Sequence, residues 1–335
     1  NLPSAFVRES IQNSLDARDD SQGLPVEVHY RLGSMSRKHF DASYFNELSD
    51  HFRASHSGIS QSAKEAFRKN FKFVICEDFN TTGLNGDVTY ADIAHPDPKE
   101  GNDFYYFFRN DGRSGKTLSR GKWGVGKTIF PASSHLNMFW AVTRGNRNQK
   151  ESLMGRAILA PHKINNKGFT PFGYYGVRES ENSPLVLPLE ENEKIEAFKK
   201  VFRLKRENKA GLSIVVPFTS DEFQLEAFVL SCVEQYMFPI AAGDLVIKIS
   251  EKSKTVTISN ESIQKIIEDR SKSKTTEERE IYENLSKTLG FVRYINELPK
   301  EEFIMLQGGS LKSVPRWEAK RLFDDQTLEE CRNKF

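Results

Sequence analysis

The sequence predicts an α+β sandwich built on a mainly antiparallel sheet, and three observations carry that expectation. An amphipathic helical pattern opens the chain, with Val7, Ile11 and Leu15 recurring every four residues. Compact apolar runs with strand character recur afterwards, among them residues 71–76 and GLSIVVPF at 211–218. Between them, from about 79 to 128, lies a polar, glycine-rich stretch longer than ordinary connections, of the kind that carries function.

The elements follow in order. Residues 3–18 read as a helix with Pro3 near its start, and 25–32 (PVEVHYRL) alternate like a strand. Short helical stretches around 43–54 and 60–70 precede the buried strand at 71–76. After the long loop, 136–144, 151–160 and 170–177 resemble successive strands, 190–206 a helix and 211–218 another strand. Residues 221–238 read as helix, 244–258 as two short strands and 260–290 as strongly charged helix. There is no internal repeat.

Composition narrows the function classes. With 335 residues, 38% hydrophobic and 28% charged, the chain suits one large or two smaller soluble domains. A net charge of +2 gives no global attraction to nucleic acid or an anionic membrane. Cys76, Cys232 and Cys331 lie far apart without zinc-ligand spacing, so a reducing cytoplasm is expected rather than a disulfide framework. No run approaches the roughly 18 apolar residues of a membrane span. No signal peptide is visible, and both ends read as trimmed from a larger parent.

Three constellations carry chemistry. On the first helix, Glu9, Asn13 and Asp16 are spaced i, i+4, i+7 and share one face. A carboxylate and a carboxamide one turn apart can activate a water and ligate Mg²⁺, which needs few protein oxygens beside substrate phosphates. The bland alternative is a solvated polar face. Second, the strand at 71–76 runs into Glu77-Asp78-Phe79-Asn80-Thr81-Thr82-Gly83. An acid at a strand end can accept an exocyclic amine, and a nearby glycine lets backbone approach a ring; an Asx-type turn is the alternative. Third, Arg120 to Thr128 (RGKWGVGKT) aims glycine-rich backbone and a lysine at phosphates. It also satisfies the P-loop expression from Gly121 to Thr128, although a polar stretch precedes it and Pro131 follows closely. The basic stretch 194–209 reads as a solvated helix face, the aromatic run 104–108 as packing, and His29 and His162 show no metal or triad spacing.

Together the segments resemble the GHKL superfamily of gyrase, heat-shock chaperone ATPases, histidine kinases and MutL. Glu9-x-x-x-Asn13-x-x-Asp16-Ala17 is similar to its first motif, 78–83 to its adenine-binding motif, and Gly124-Val125-Gly126 to its lid. Gly211-Leu212-Ser213-Ile214 resembles its Gly-Thr strand start, with Leu212 in place of the threonine and Ser213 offering a hydroxyl one position later. Asn80 stands where the first motif glycine belongs, and an extra residue precedes Gly83.

The resemblance implies the Bergerat fold: a two-layer sandwich of a mixed, mainly antiparallel sheet with helices on one face, followed by a smaller α/β extension. It implies an ATP-binding domain at 1–218 and a partial second, transducer-like or coupling module at 219–335. ATP and Mg²⁺ are the implied cofactors. Glu9 would be the general base, Asn13 the Mg²⁺ ligand, Asp78 the acceptor of the adenine amine, and Gly83 the floor under the base. Gly124, Val125, Gly126, Lys127 and Thr128 would close over the phosphates, with Asp16 and Ser213 in support. The expected activity is ATP hydrolysis driving a switch or clamp, with an ATP-dependent homodimer and no membrane. Nucleic-acid processing or phage defence are settings such a pocket serves, and a histidine-kinase-like or ATP-sensing module and a P-loop NTPase are the alternatives.

Overall fold

The computed structural model describes residues 1–36, 42–45, 48–55, 70–91, 101–110, 126–180, 183–272 and 275–299. Twelve strands are found among them. They are β1 (Val26–Met35), β2 (Phe71–Phe79), β3 (Met138–Arg144), β4 (Glu151–Ile158), β5 (His162–Ile164), β6 (Lys167–Phe169), β7 (Phe172–Tyr175), β8 (Val177–Arg178), β9 (Val186–Leu187), β10 (Gly211–Pro217), β11 (Leu245–Glu251) and β12 (Lys254–Ile258). The helices are α1 (Leu2–Asp16), α2 (Leu48–Ala54), α3 (Asp103–Phe108), α4 (Ile129–Ala132), α5 (Asn192–Phe202), α6 (Leu225–Ala241), α7 (Ile263–Arg270) and α8 (Thr276–Glu297).

Eight strands form one sheet in the order β12-β11-β1-β2-β10-β3-β4-β7, while β5–β6 and β8–β9 are separate hairpins. Every neighbouring pair of the large sheet is antiparallel except β1 with β11. The α+β class and the mixed, mainly antiparallel sheet are therefore as expected. β2 lies at the sheet's middle and is buried from Phe73 to Phe79 without alternation, so both its faces need cover.

That requirement corrects one expectation: the helices are not confined to one face. Val74, Cys76 and Asp78 stand opposite Leu32, Tyr30 and Val28 of β1. On that side Tyr30 packs against Phe6 of α1 and Phe228 of α6, and Phe6 also meets Phe130 and Phe223. The residues pointing the other way, Phe71, Phe73 and Ile75, join Trp140 and Val215 in a second core with Phe52 of α2 and Ile195, Phe198 and Phe202 of α5.

The expected boundary at 218 falls inside this body. β11 runs parallel to β1 from Val26↔Leu245 to Leu32↔Glu251, and β12 completes the sheet's edge. Compactness divides the chain into Asn1–Leu289 and Gly290–Phe335 instead, the second described only to residue 299. Smaller differences have local causes. The long polar stretch contains α3, whose first turn is capped by Asn102 accepting from the Tyr105 amide. The 190–206 helix stops at Phe202, where Arg203 turns left-handed (φ 48°). The charged 260–290 region is two helices, α7 and α8, and the stretch at 60–69 lies outside the described residues. Among the described residues no helix is long and apolar enough to cross a membrane.

Candidate functional site

The site begins with α1. The Asn1 side chain accepts from the Ser4 amide at 3.2 Å, and a proline occupies the first turn, where its missing amide costs nothing. The buried stripe is Phe6, Val7, Ser10, Ile11 and Ser14, whereas Leu15 is only half-buried. Two serines thus face the sheet where the sequence pattern led us to count apolar residues alone. The Ser10 hydroxyl donates to the Phe6 carbonyl at 2.7 Å and lies 2.6 Å from the Tyr30 hydroxyl. Ser14 is 3.0 Å from the Ser10 carbonyl and 3.2 Å from Asp78 Oδ2. It has one proton and cannot serve both at once.

Turned away from the sheet are the three polar residues singled out from sequence. Glu9, its side chain 25% exposed, takes the Arg8 Nε at 2.9 Å on Oε1. The Asn13 carboxamide is half-buried and makes no hydrogen bond to any described residue. Asp16 Oδ1 accepts from Gln12 Nε2 at 2.9 Å. Gly126 closes on Glu9: a Cβ there would lie 2.0 Å from Glu9 Oε2. Gly126, Lys127 and Thr128 form a 3-10 turn leading into α4.

Asp78 is the last residue but one of β2 and is 6% exposed. Its Oδ1 accepts from the Thr81 hydroxyl and the Leu212 amide, both at 2.7 Å, while Oδ2 meets only Ser14 among the described groups. One carboxylate oxygen is thus filled and the other keeps acceptor capacity. The chain after β2 is zipped to the end of α1. Asp19 N–H donates to the Asn80 carbonyl at 3.0 Å and Thr82 N–H to the Ala17 carbonyl at 2.8 Å. Asn80 has φ 60°, a left-handed value that asparagine tolerates, which explains how it stands where the motif has glycine. Gly83 has φ 64°, and a Cβ there would sit 2.2 Å from the Arg144 carbonyl oxygen, so this position demands glycine on two counts.

On the opposite face of the sheet lies an ionic cluster that sequence reasoning missed. Glu77 accepts from the Lys205 and Arg206 amides and from the Ser213 hydroxyl at 2.9 Å. Arg206, 1% exposed, donates from Nε to Ser213, from Nη1 to the Lys209 and Ala210 carbonyls, and from Nη2 to the Asp78 carbonyl. Its Nη2 also lies 3.7 Å from Asp78 Oδ1. Burial lowers the Arg206 guanidinium from its ordinary value, and Asp78 and Glu77 oppose that. A basic run that reads as solvated helix thus conceals two buried cations, Lys199 within the helix beside Glu151 and Arg206 just past its end; for Arg206, its neighbour Glu77, beside Asp78 on a buried strand, was the available signal.

The structure gathers Glu9, Asn13, Asp16 and Gly126 along α1, and joins Asp78 to α1 through Ser14. It does not bring Ser213 to them, because alternation along β10 turns its hydroxyl to Glu77 and Arg206; Leu212 meets Asp78 through its amide instead. The Lys127 ammonium donates to the Tyr106 and Asn110 carbonyls at the end of α3, a cation's usual place at a helix C-terminus. Gly124 and Val125 lie outside the described residues. The P-loop alternative does not survive: α4 has four residues rather than a long helix, and β2 and β3 are antiparallel to their sheet neighbours. Burial pushes the Cys76 and Cys232 thiols up, which keeps them from acting as thiolates. Among the described residues no three His, Cys, Asp or Glu side chains gather as metal ligands.

No family model matches the chain, and neither does any curated protein. Among solved structures it is similar to the ATPase region of Saccharomyces cerevisiae topoisomerase II bound to ICRF-187 (dexrazoxane), at 11% identity over 85% of this chain and 52% of that one, with a TM-score of 0.35. The ATPase and transducer domains of DNA topoisomerase II from Balamuthia mandrillaris match at 10% identity over 79% and 51% of the two chains, with a TM-score of 0.35. The N-terminal domain of a DNA repair protein matches at 10% identity over 78% and 54%, with a TM-score of 0.31. The chain spans about half the length of these structures, and superpositions this loose assign nothing by themselves.

Proposed function

We propose that this chain is an ATP-binding and ATP-hydrolysing domain of the GHKL kind, Mg²⁺-dependent, acting as a nucleotide-driven switch or clamp in a larger assembly. One joint observation carries the reading: α1 presents Glu9 and Asn13 a turn apart, and the same helix meets the strand-end carboxylate of Asp78 through Ser14. A merely solvated helix face has no reason to be tied to a buried acid with one unfilled oxygen.

In this reading Asp78 Oδ2 accepts the adenine amine while Thr81 and Leu212 hold Oδ1, so Thr81 supplies the hydroxyl expected of Ser213. Gly83 leaves room for the base. Glu9 orients the attacking water and takes its proton, the role of a positioned general base. The Asn13 carboxamide fits Mg²⁺, a cation satisfied by one neutral protein oxygen when phosphates and water complete its shell. Bound there, the ion would neutralise phosphate charge. Gly126, Lys127 and Thr128 close over the phosphates, and for this Lys127 exchanges the Tyr106 and Asn110 carbonyls for phosphate oxygens. Asp16, tied to Gln12, supports the helix face rather than the reacting phosphate.

The test is steady-state phosphate release from ATP and Mg²⁺, run beside titration with a labelled ATP analogue. Binding with slow turnover that Glu9→Ala lowers by roughly 10²–10⁴-fold is the expected result. A wild-type protein that binds no ATP overturns the reading, and one that binds without releasing phosphate reduces it to an ATP sensor.

A further inference from the structure

Two consecutive residues of α6 grip α1 by its backbone. Gln235 Nε2 donates to the Ser4 carbonyl at 3.2 Å and lies 3.0 Å from the Ser4 hydroxyl. The Tyr236 hydroxyl donates to the Arg8 carbonyl. Ser4 and Arg8 are one turn apart, so their carbonyls stand in line along one side of α1. Adjacent residues of a regular helix point about 100° apart and would not both reach that line. α6 achieves it by breaking: Tyr236 leaves the helical region at φ −127°, ψ 21°, and Pro239 follows. A proline's ring excludes the carbonyl four residues earlier, here that of Gln235, which accounts for the kink.

The Arg8 carbonyl belongs to the same planar peptide as the Glu9 amide, so whatever fixes that oxygen also fixes the Glu9 backbone. Tyr236 is 7% exposed. Burial and then the nearby Glu9 charge push its hydroxyl up, while the Gln12 amide, close to the same oxygen, opposes them; the group stays a donor.

We infer that Tyr236 is a positioning residue for Glu9: by holding the Arg8–Glu9 peptide it sets where the Glu9 carboxylate stands. The inference rests on the reading of Glu9 as the base that activates water.

Tyr236→Phe keeps the ring and removes the donor; Tyr236→Met refills the space differently and carries the same expectation should the first variant fold poorly. Affinity for a non-hydrolysable ATP analogue should stay within about twofold of wild type while turnover falls roughly tenfold, the cost of a small misplacement at a reacting group. In a Glu9→Ala background the same substitution should have no further effect on residual turnover, since two residues acting as one unit are non-additive. An unchanged turnover, a parallel loss of affinity, or an equal loss in the Glu9→Ala background overturns the inference. If the wild type releases no phosphate, it is the ATPase reading that fails. The grip is then judged by amide exchange over residues 8–12, which Tyr236→Phe should accelerate roughly tenfold and which, left unchanged, rejects it.

Discussion

Glu9 and Asp78 are both carboxylates, yet their surroundings differ as their proposed tasks require. Asp78 is 6% exposed and has one oxygen filled by Thr81 and Leu212. In Asp78→Asn the amide oxygen must take the Oδ1 place, because two donors aim there, and this turns the NH₂ group toward the position of Oδ2. The variant therefore presents a donor to the adenine amine. Affinity should fall about 10–150-fold, the worth of a charged hydrogen bond of roughly 1.5–3 kcal/mol, as read by a labelled ATP analogue; unchanged affinity would move the base site elsewhere. Glu9→Ala should instead keep affinity and lose turnover by roughly 10²–10⁴-fold. Gly126→Ala separates position from presence. Its Cβ would lie 2.0 Å from Glu9 Oε2, and that oxygen ends a flexible side chain, so the carboxylate swings away and the fold is spared. Turnover should drop on the order of 10–100-fold with the melting temperature unchanged; a large loss of stability would mean that the glycine serves the backbone instead.

At the scale of elements, the segment between α5 and β10 is held by two side chains, Glu77 through the Lys205 and Arg206 amides and Arg206 from within the segment. Arg206 closes on the carbonyls of Lys209 and Ala210 and on that of Asp78, and with Glu77 it forms a buried ionic cluster. Gly211 makes this possible, since a Cβ there would lie 2.4 Å from Arg206 Nη1 and 2.6 Å from the Asp78 carbonyl oxygen. Removing the cation leaves Glu77 buried without its counter-charge, so Arg206→Ala should cost about 3–5 kcal/mol in urea denaturation; a loss below 1 kcal/mol would mean that backbone amides alone satisfy Glu77. These elements also mark how far the sequence could be read. The α1 motif, the β2 strand and its terminal acid were legible because each depends on local spacing. The cluster was not, because Glu77 and Arg206 meet across 129 residues. Nor was cover on both faces, since an apolar run such as FKFVICEDF gives no direction for each side chain. β11 was legible as a strand, but nothing local says that it returns to lie parallel beside β1.

For the whole molecule, the question is what ATP does to assembly. The body from Asn1 to Leu289 carries α1, β2 and α6 as one compact unit, so a change at the nucleotide has rigid elements through which to act. Gly126 lies against Glu9, and Lys127 is held by carbonyls that it must release to meet phosphate. Under the proposed reading a phosphate-bound arrangement of Gly126–Thr128 competes with this one, and a nucleotide can shift that balance only by its difference in affinity for the two. If the phosphate-bound arrangement builds a surface for a second copy, the product is a dimer with two-fold symmetry, because a patch that recognises itself closes that way. Glu9→Ala is the variant of choice, since under the proposed reading it keeps ATP bound with turnover lowered roughly 10²–10⁴-fold. With excess ATP and Mg²⁺, light scattering should give twice the monomer mass, and amide exchange should slow over residues 126–130. Without nucleotide the mass should be that of the monomer. Slowed exchange at monomer mass would keep the nucleotide-driven switch and discard the clamp. A dimer that forms equally well without ATP would uncouple assembly from the site, and unchanged exchange at 126–130 would show that the lysine never leaves its carbonyls.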